Sequence, residues 1–134
     1  MPSCDKLKNL VKIGILKKES PTASELRALI ESGRVRLKDS QNKTLSLESR
    51  FDLSYNAAHS LALAALRKLG YRAGNRTSVF QCLEHTSRLT RPQIRVLIDA
   101  HGKRNQIEYD GDTGVSEKLV EALIETTHQL LTEL

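Results

Sequence analysis

The chain has 134 residues, of which 39% are hydrophobic and 28% charged, and it carries 21 basic and 16 acidic side chains. This length predicts one domain over residues 1–134 with a substantial hydrophobic core, and the composition argues against a largely disordered chain. Two isolated cysteines, Cys4 and Cys82, exclude a disulfide framework, and no apolar run reaches the ~18 residues of a membrane span. The N-terminus lacks a signal-peptide pattern, so we expect a cytoplasmic protein without a membrane partner.

The charge is unevenly distributed along the chain. Residues 1–104 carry 20 basic and 9 acidic side chains, whereas residues 105–134 carry 1 basic and 7 acidic ones. A basic body attracts phosphates, although a basic surface facing its own acidic helix gives the same pattern. The chain has three tyrosines, two phenylalanines and no tryptophan, which argues against a single-strand binder built on stacked bases.

Helical periodicity dominates the N-terminal third, and no part of the chain shows the alternation typical of strands. A first helix is predicted from about residue 5 to residue 16. Pro21 breaks the chain, and a second helix follows with Thr22 or Ser24 as its N-cap. We therefore predict a basic N-terminal helical hairpin over residues 1–45.

The longest helix is predicted from about Ser46 to Leu69, with Gly70 as its C′ residue. Its packing seam consists of Phe51, Tyr55, Ala58, Ala62, Ala65 and Leu69. The N-caps of the later helices are predicted at Asn75 or Thr77, at Thr90 or Arg91, and at Ser116. Residues 110–114 are predicted to form a loop, and the fold class is all-α with about five or six helices.

The helix that begins near Pro92 carries the first candidate site. An apolar face at Ile94 and Ile98 continues, with the same spacing, into polar residues. These residues are His101, Asn105 and Glu108, with Lys103 and Arg104 beside them. Buried polar groups must be paired, so we predict either an ion-pair network that holds the following loop or a functional cluster.

The long helix supplies a second polar set. Asp52, Asn56 and His59 are spaced by four and three residues and therefore share one helix face. Alone, this face is typical of a solvated helix surface. Opposite Arg104 and His101 on another helix, it becomes part of a candidate site.

Other signatures of chemistry are missing from the sequence. It contains no glycine-rich phosphate loop, no nucleophile elbow and no HExxH pair. His85 and His128 have no partner at ligand spacing. We therefore predict neither a bound metal nor a cofactor.

Two segments together resemble a known family. Residues 51–70 read FDLSYNAAHSLALAALRKLG and residues 101–109 read HGKRNQIEY. They resemble the HEPN superfamily (higher eukaryotes and prokaryotes nucleotide-binding), and the resemblance covers residues 46–134. It implies an up-and-down four-helix-bundle core over residues 46–134, additional N-terminal helices and a homodimer.

The resemblance also implies a range of functions. Many HEPN proteins are metal-independent ribonucleases that use an arginine, a polar residue that is often asparagine, and a histidine a few residues on. Prokaryotic members often act as toxins or phage-defence proteins beside a nucleotidyltransferase-type antitoxin, and others are non-catalytic binding modules. Arg104 and Asn105 match this motif, but Tyr109 stands where the histidine is expected.

The substitution at Tyr109 leaves three functions open. The first is a HEPN-like module that binds RNA, a nucleotide or a protein partner and is not an efficient nuclease. The second is a ribonuclease toxin in which Arg104 stabilises the phosphorane and His101 or Tyr109 moves protons, although an unperturbed tyrosine titrates only near about 10. The third is a non-catalytic helical assembly or scaffold protein.

Overall fold

The computed structural model describes residues 4–111 and 114–134, apart from the side chains of Cys4 and Asp110. The elements in chain order are α1 (Cys4–Lys12), β1 (Leu16–Lys18), α2 (Ala23–Ser40), α3 (Leu47–Lys68), β2 (Tyr71–Ala73), α4 (Arg76–Gln81), α5 (Leu83–Thr86), α6 (Arg91–Asp110) and α7 (Glu117–Thr132). The predicted all-α class is confirmed as a predominantly helical fold. Gly111 ends α6 in the left-handed conformation, and two residues of the predicted 110–114 loop, Asp112 and Thr113, lie outside the described residues.

Side-chain caps fix the starts of the main helices. In each case the capping oxygen accepts a hydrogen bond from the backbone N–H three residues on, which satisfies a donor that the first helical turn leaves free. The caps are Thr22, Ser46, Asn75, Thr90 and Ser116. Thr22, Asn75, Thr90 and Ser116 are among the N-caps predicted from side-chain type, and Ser46 was predicted only as the approximate start of the long helix.

The first helix is shorter than predicted, because α1 ends at Lys12 and not near residue 16. Gly14 follows with φ 83°, a conformation that turns the chain out of the helix. Residues 16–18 then pair antiparallel with residues 71–73, and Gly70, with φ 90°, turns the chain from α3 into that strand. The prediction of no strand was wrong here, since three-residue strands so far apart in sequence carry no local alternation.

The core is centred on α3. Its buried side includes Tyr55, Leu61 and Leu66, each fully buried. The helix α2 approaches α3 closely at Gly33, where an added Cβ would lie 2.5 Å from the Cγ of Leu61. The helix α7 packs on α3 and α6, and its Leu123 is fully buried. This arrangement holds the middle of α3 against α4 and α6.

The two helices of the predicted N-terminal hairpin, residues 1–45, pack on different parts of the fold. The helix α1 contacts β1 and α5, whereas α2 contacts α3 and α7. Among the described residues, no helix has the combination of length and apolar character needed to cross a membrane. The N-terminal helices are thus attached separately, one beside the small sheet and one along α3.

A buried arginine joins the small sheet to the helices. Arg67, at the end of α3, is 1% exposed, and its Nε donates to Oε1 of Glu25 at 2.8 Å. Its other nitrogens donate to the backbone carbonyls of Glu19, Ser20 and Tyr71 at 2.7, 3.2 and 3.2 Å. The Arg67 hydrogen bond is the main cause that lowers the pKa of Glu25 to about 2. We call this set the Arg67 network.

Candidate functional site

The candidate site is built on Tyr55, in the middle of α3. Its side chain is fully buried, and its ring lies 5.9 Å from the ring of Phe80 and 6.2 Å from that of His101. The Tyr55 hydroxyl lies 2.9 Å from Nδ1 of His101. A buried tyrosine usually places its hydroxyl on a partner, and here that partner joins α3 to α6.

Two arginines from different helices stack on this one ring. The Cζ of Arg76, in the first turn of α4, lies 5.7 Å from the Tyr55 ring centroid, and the Cζ of Arg104, on α6, lies 5.4 Å away. Both distances are those of cation–π contacts. The Arg104 side chain keeps 30% of its surface exposed. Two positive charges therefore lie over the buried Tyr55 ring and within reach of solvent.

His101 is held at both ring nitrogens. Nδ1 faces the Tyr55 hydroxyl, and Nε2 lies 3.0 Å from Oγ1 of Thr77. Burial lowers the pKa of His101 below its usual 6.5, and the charges of Arg104 and Arg76 lower it further. His101 is therefore neutral at neutral pH, with one ring nitrogen as donor and the other as acceptor.

His59, on α3, is partly buried beside Phe80. It meets Phe80 edge-on, with ring centroids 5.9 Å apart. Burial is the main cause that lowers its pKa to about 4, and the charges of Arg76 and Arg104 act in the same direction. A neutral His59 adds no further charge, so the net positive charge of the cluster comes from its arginines.

Of the other two predicted site residues on α3, Asn56 contacts Arg76 and Asp52 contacts Asn56. Its Nδ2 donates to the backbone oxygen of Asp52 at 2.8 Å and to that residue's Oδ1 at 3.3 Å. Its Oδ1 accepts a long hydrogen bond of 3.5 Å from Nη1 of Arg76. Asp52 itself is exposed. Asn56 therefore orients Arg76 without neutralising its charge.

The buried side of α6 differs from the row that the sequence analysis proposed. Ile94, Leu97 and Ala100 are the buried residues, because these positions face the neighbouring helices α3, α4 and α7. The proposed row through Asn105 and Glu108 instead runs out towards the surface, with Glu108 51% exposed. Glu108 forms an ion pair of 3.3 Å with Arg104.

Some predicted residues lie outside the cluster. Tyr109 is 80% exposed, and among the described residues no hydrogen bond, ion pair or ring contact joins Tyr109 or Asn105 to the cluster. Lys103 is partly exposed beside Arg104 in the chain. The structure therefore brings together Asn56, His59, His101 and Arg104.

Three residues of the cluster were missed by sequence reasoning. Tyr55 was assigned only to the packing seam, Thr77 was considered only as an N-cap, and Arg76 was given no role in the predicted site. A signal for Tyr55 was available, because a tyrosine on a buried seam needs a polar partner for its hydroxyl. Arg76 and Thr77 carried no such signal, since their place depends on how α4 packs against α3 and α6.

Arg104 also lines an open groove. It has a volume of about 560 Å³ and lies between the start of α3 and the last turns of α6. Its lining includes the apolar residues Phe51, Leu53 and Ile107 together with the carboxylates of Glu48 and Asp52. These carboxylates oppose the binding of an anion within the groove.

Comparisons of the chain with models of known protein families, with curated proteins and with solved structures found no match. The part of the chain that the structure describes contains no group of three or more histidine, cysteine, aspartate or glutamate side chains placed to hold a metal ion. The fold and the site define a predominantly helical protein with a surface arginine–histidine cluster over a buried tyrosine.

Proposed function

We propose that this chain is a HEPN-like module that binds RNA by its phosphate groups through Arg76 and Arg104, and that it is not an efficient nuclease. The observation that carries the proposal is the convergence of these two arginines, from α4 and α6, on the ring of Tyr55. The HEPN-like core over residues 46–134 is part of the same proposal and rests on the motif resemblance.

The charges of the two arginines are only partly compensated within the fold. Among the described residues, Arg76 has no carboxylate within ion-pair distance, and Arg104 has only the half-exposed Glu108. A guanidinium stacked on an aromatic face keeps N–H groups at its edge, and these suit the paired oxygens of a phosphate. Binding through phosphates also fits a chain with few aromatic side chains for base stacking.

The proton-transfer groups support binding better than cleavage. General acid–base catalysis needs a group that reaches the reacting oxygen. Both ring nitrogens of His101 lie within hydrogen-bond distance of protein hydroxyls, and Tyr109 lies outside the cluster. We therefore expect the site to hold RNA without cleaving it efficiently.

The test is a fluorescence-anisotropy titration with an end-labelled single-stranded RNA, with a mononucleotide as a separate arm. We expect Arg104→Ala to weaken RNA binding about tenfold and to reduce the salt dependence of the binding constant by about one unit of slope. Arg95→Ala is the matched control, because Arg95 lies on the same helix, its side chain is 76% exposed, and its ion-pair partner among the described residues is Asp99. Equal affinities for wild type and Arg104→Ala would contradict the proposal, and binding of the mononucleotide alone would reassign it.

A second candidate function is a metal-independent ribonuclease. The observation that favours it is a neutral His101 close to Arg104, since a neutral imidazole can accept a proton. Incubation of RNA with the protein in excess chelator tests this reading directly. If cleavage occurs, His101→Ala and Arg104→Ala should both abolish it, and cleavage that survives His101→Ala would exclude this mechanism.

The HEPN resemblance also supplies our proposal for partners and context. We propose a homodimer and a nucleotidyltransferase-type antitoxin partner in the cytoplasm, in a toxin–antitoxin or defence setting. Sedimentation of the purified protein tests the dimer. Growth arrest on overexpression, lost in Arg104→Ala, would support the toxin reading, while a dimer without RNA binding would favour the scaffold alternative.

A further inference from the structure

We infer that Thr77 is a third phosphate ligand beside Arg76 and Arg104, and that its hydroxyl proton is directed outward by a hydrogen-bonded chain from Tyr55 through His101. The inference rests on the proposed function and deepens it, because it makes the site selective for an acceptor-only anion. Thr77 contacts the ligand, whereas Tyr55 and His101 act as positioning residues.

The chain begins at a buried hydroxyl with one partner. Among the described residues, the Tyr55 hydroxyl has a single hydrogen-bond partner, Nδ1 of His101. Tyr55 is fully buried, so its O–H proton must be donated to that nitrogen or be left unsatisfied at considerable cost. Nδ1 of His101 is therefore an unprotonated acceptor.

The second link follows from the tautomer. A neutral imidazole carries one N–H, so a His101 that accepts at Nδ1 donates from Nε2. The atom 3.0 Å from Nε2 is Oγ1 of Thr77. In a doubly protonated ring, Nδ1–H would donate to the Tyr55 oxygen, and the buried O–H proton would be left without an acceptor. The geometry therefore favours the Nε2–H form of His101.

The last link ends at the surface. Oγ1 of Thr77 accepts from His101, and among the described residues Thr77 makes no other side-chain hydrogen bond. Thr77 is exposed and follows Arg76 in the chain. Its hydroxyl proton is therefore free to be donated to a bound group. Phosphate oxygens only accept hydrogen bonds, so this proton and the two guanidinium groups match a phosphodiester.

The first experiment compares Thr77→Val, which removes the hydroxyl at nearly constant shape, with Thr77→Ser, which keeps it. RNA affinity is measured by anisotropy over a range of salt concentrations. We expect Thr77→Val to weaken binding about tenfold with an unchanged salt slope, since a hydrogen bond and not a charge is lost. We expect Thr77→Ser to retain most of the wild-type affinity. A general structural defect would not be rescued by serine.

The second experiment reads the tautomer of His101 by nitrogen NMR of the imidazole ring in the protein without RNA. We expect Nε2 to be protonated in wild type, and we expect Tyr55→Phe to lose this single tautomer because the donor to Nδ1 is gone. Protonation of Nδ1 in wild type would overturn the inference without any reference to RNA.

The failures of the two proposals are distinguishable. If wild type binds RNA and Arg104→Ala is weakened but Thr77→Val is not, the role of Thr77 is overturned and the proposed function stands. If wild type does not bind RNA, the proposed function fails and the ligand role of Thr77 fails with it.

Discussion

Two arginine clusters lie along α3, and they differ in how their charge is balanced. Arg67 is 1% exposed and is surrounded by the carboxylate of Glu25 and three backbone carbonyls. Arg76 and Arg104 stack on Tyr55, and the pair has one carboxylate partner, Glu108, among the described residues. The charge of Arg67 is fully paired within the fold, whereas the charges of Arg76 and Arg104 over the Tyr55 ring, which we call the Tyr55 cluster, are only partly paired.

This difference separates a structural arginine from one available to a ligand. A charge removed from water must be paired and hydrogen-bonded, because its desolvation is otherwise very costly. Arg67 meets that condition through its own fold, so it holds β2, α2 and α3 together. Arg76 and Arg104 remain partly exposed, and under the proposed function an external anion completes their pairing.

The largest expected effect is on folding stability, from Arg67→Ala. It removes donors from Glu25 and from three backbone carbonyls and leaves a cavity, so we expect a loss of about 3 kcal/mol in the free energy of unfolding. Urea denaturation measures it. Arg34→Ala, at an exposed ion pair with Glu31, is the control and should change stability by less than about 0.5 kcal/mol. If Arg67→Ala lowers the free energy of unfolding no more than Arg34→Ala does, Arg67 is not the structural arginine that the comparison requires.

The second prediction concerns Arg76, where we expect substitution to affect RNA affinity more than folding stability. We expect Arg76→Ala to weaken RNA binding about tenfold while changing the free energy of unfolding by less than about 1 kcal/mol. Anisotropy and urea denaturation of the same preparation measure both quantities. If stability falls as much as in Arg67→Ala and RNA affinity does not change, then Arg76 is a structural arginine as well.

The third prediction concerns how folding stability depends on pH under acidic conditions. The pKa of Glu25 is lowered from 4.5 to about 2, mainly by its hydrogen bond with Arg67. A carboxyl with a depressed folded-state pKa stabilises the fold above its unfolded pKa and loses that contribution as the pH falls. We therefore expect the urea concentration at the midpoint of unfolding to decrease as the pH is lowered from 4.5 to about 2. Glu25→Gln should flatten this part of the curve, and an unchanged slope would show that Glu25 is not the titrating group.

The smallest expected effect is the titration of His59. Burial and nearby positive charges lower its pKa from 6.5 to about 4, so its contribution to stability is complete above 6.5 and is lost as the pH falls towards 4. Proton NMR of the imidazole should show a midpoint near 4. In Arg76→Ala the midpoint should rise, since one of the charges that opposes protonation is gone. An unchanged midpoint would mean that Arg76 does not act on His59.

The sequence predicted the parts of the fold that depend on local chemistry. Caps such as Thr90 and Ser116 are recognisable because a hydroxyl before an amphipathic run satisfies free backbone donors. The long apolar seam of α3 was likewise readable from its spacing. The pairing of β1 with β2 was not, because each strand is three residues long and is stabilised by partners distant in the chain.

The candidate site was predictable only where its residues share a helix. His101 and Arg104 stand one turn apart on α6, and Asn56 and His59 stand one turn apart on α3, so helical spacing grouped each pair. Arg76 and Thr77 reach the cluster because α4 packs against α6, and no sequence spacing records that contact. Tyr55 looked like a core residue because its side chain is fully buried, although both its hydroxyl and its ring contact residues of the site.

The most direct test of the central claim follows both arginine clusters in one sample. The Nε–H resonances of Arg67, Arg76 and Arg104 are recorded by NMR while single-stranded RNA is added. We expect the resonances of Arg76 and Arg104 to shift with a common binding curve, because their charges are only partly paired within the fold. The resonance of Arg67, whose charge is fully paired, should not shift. RNA binding that leaves Arg76 and Arg104 unmoved would contradict the account.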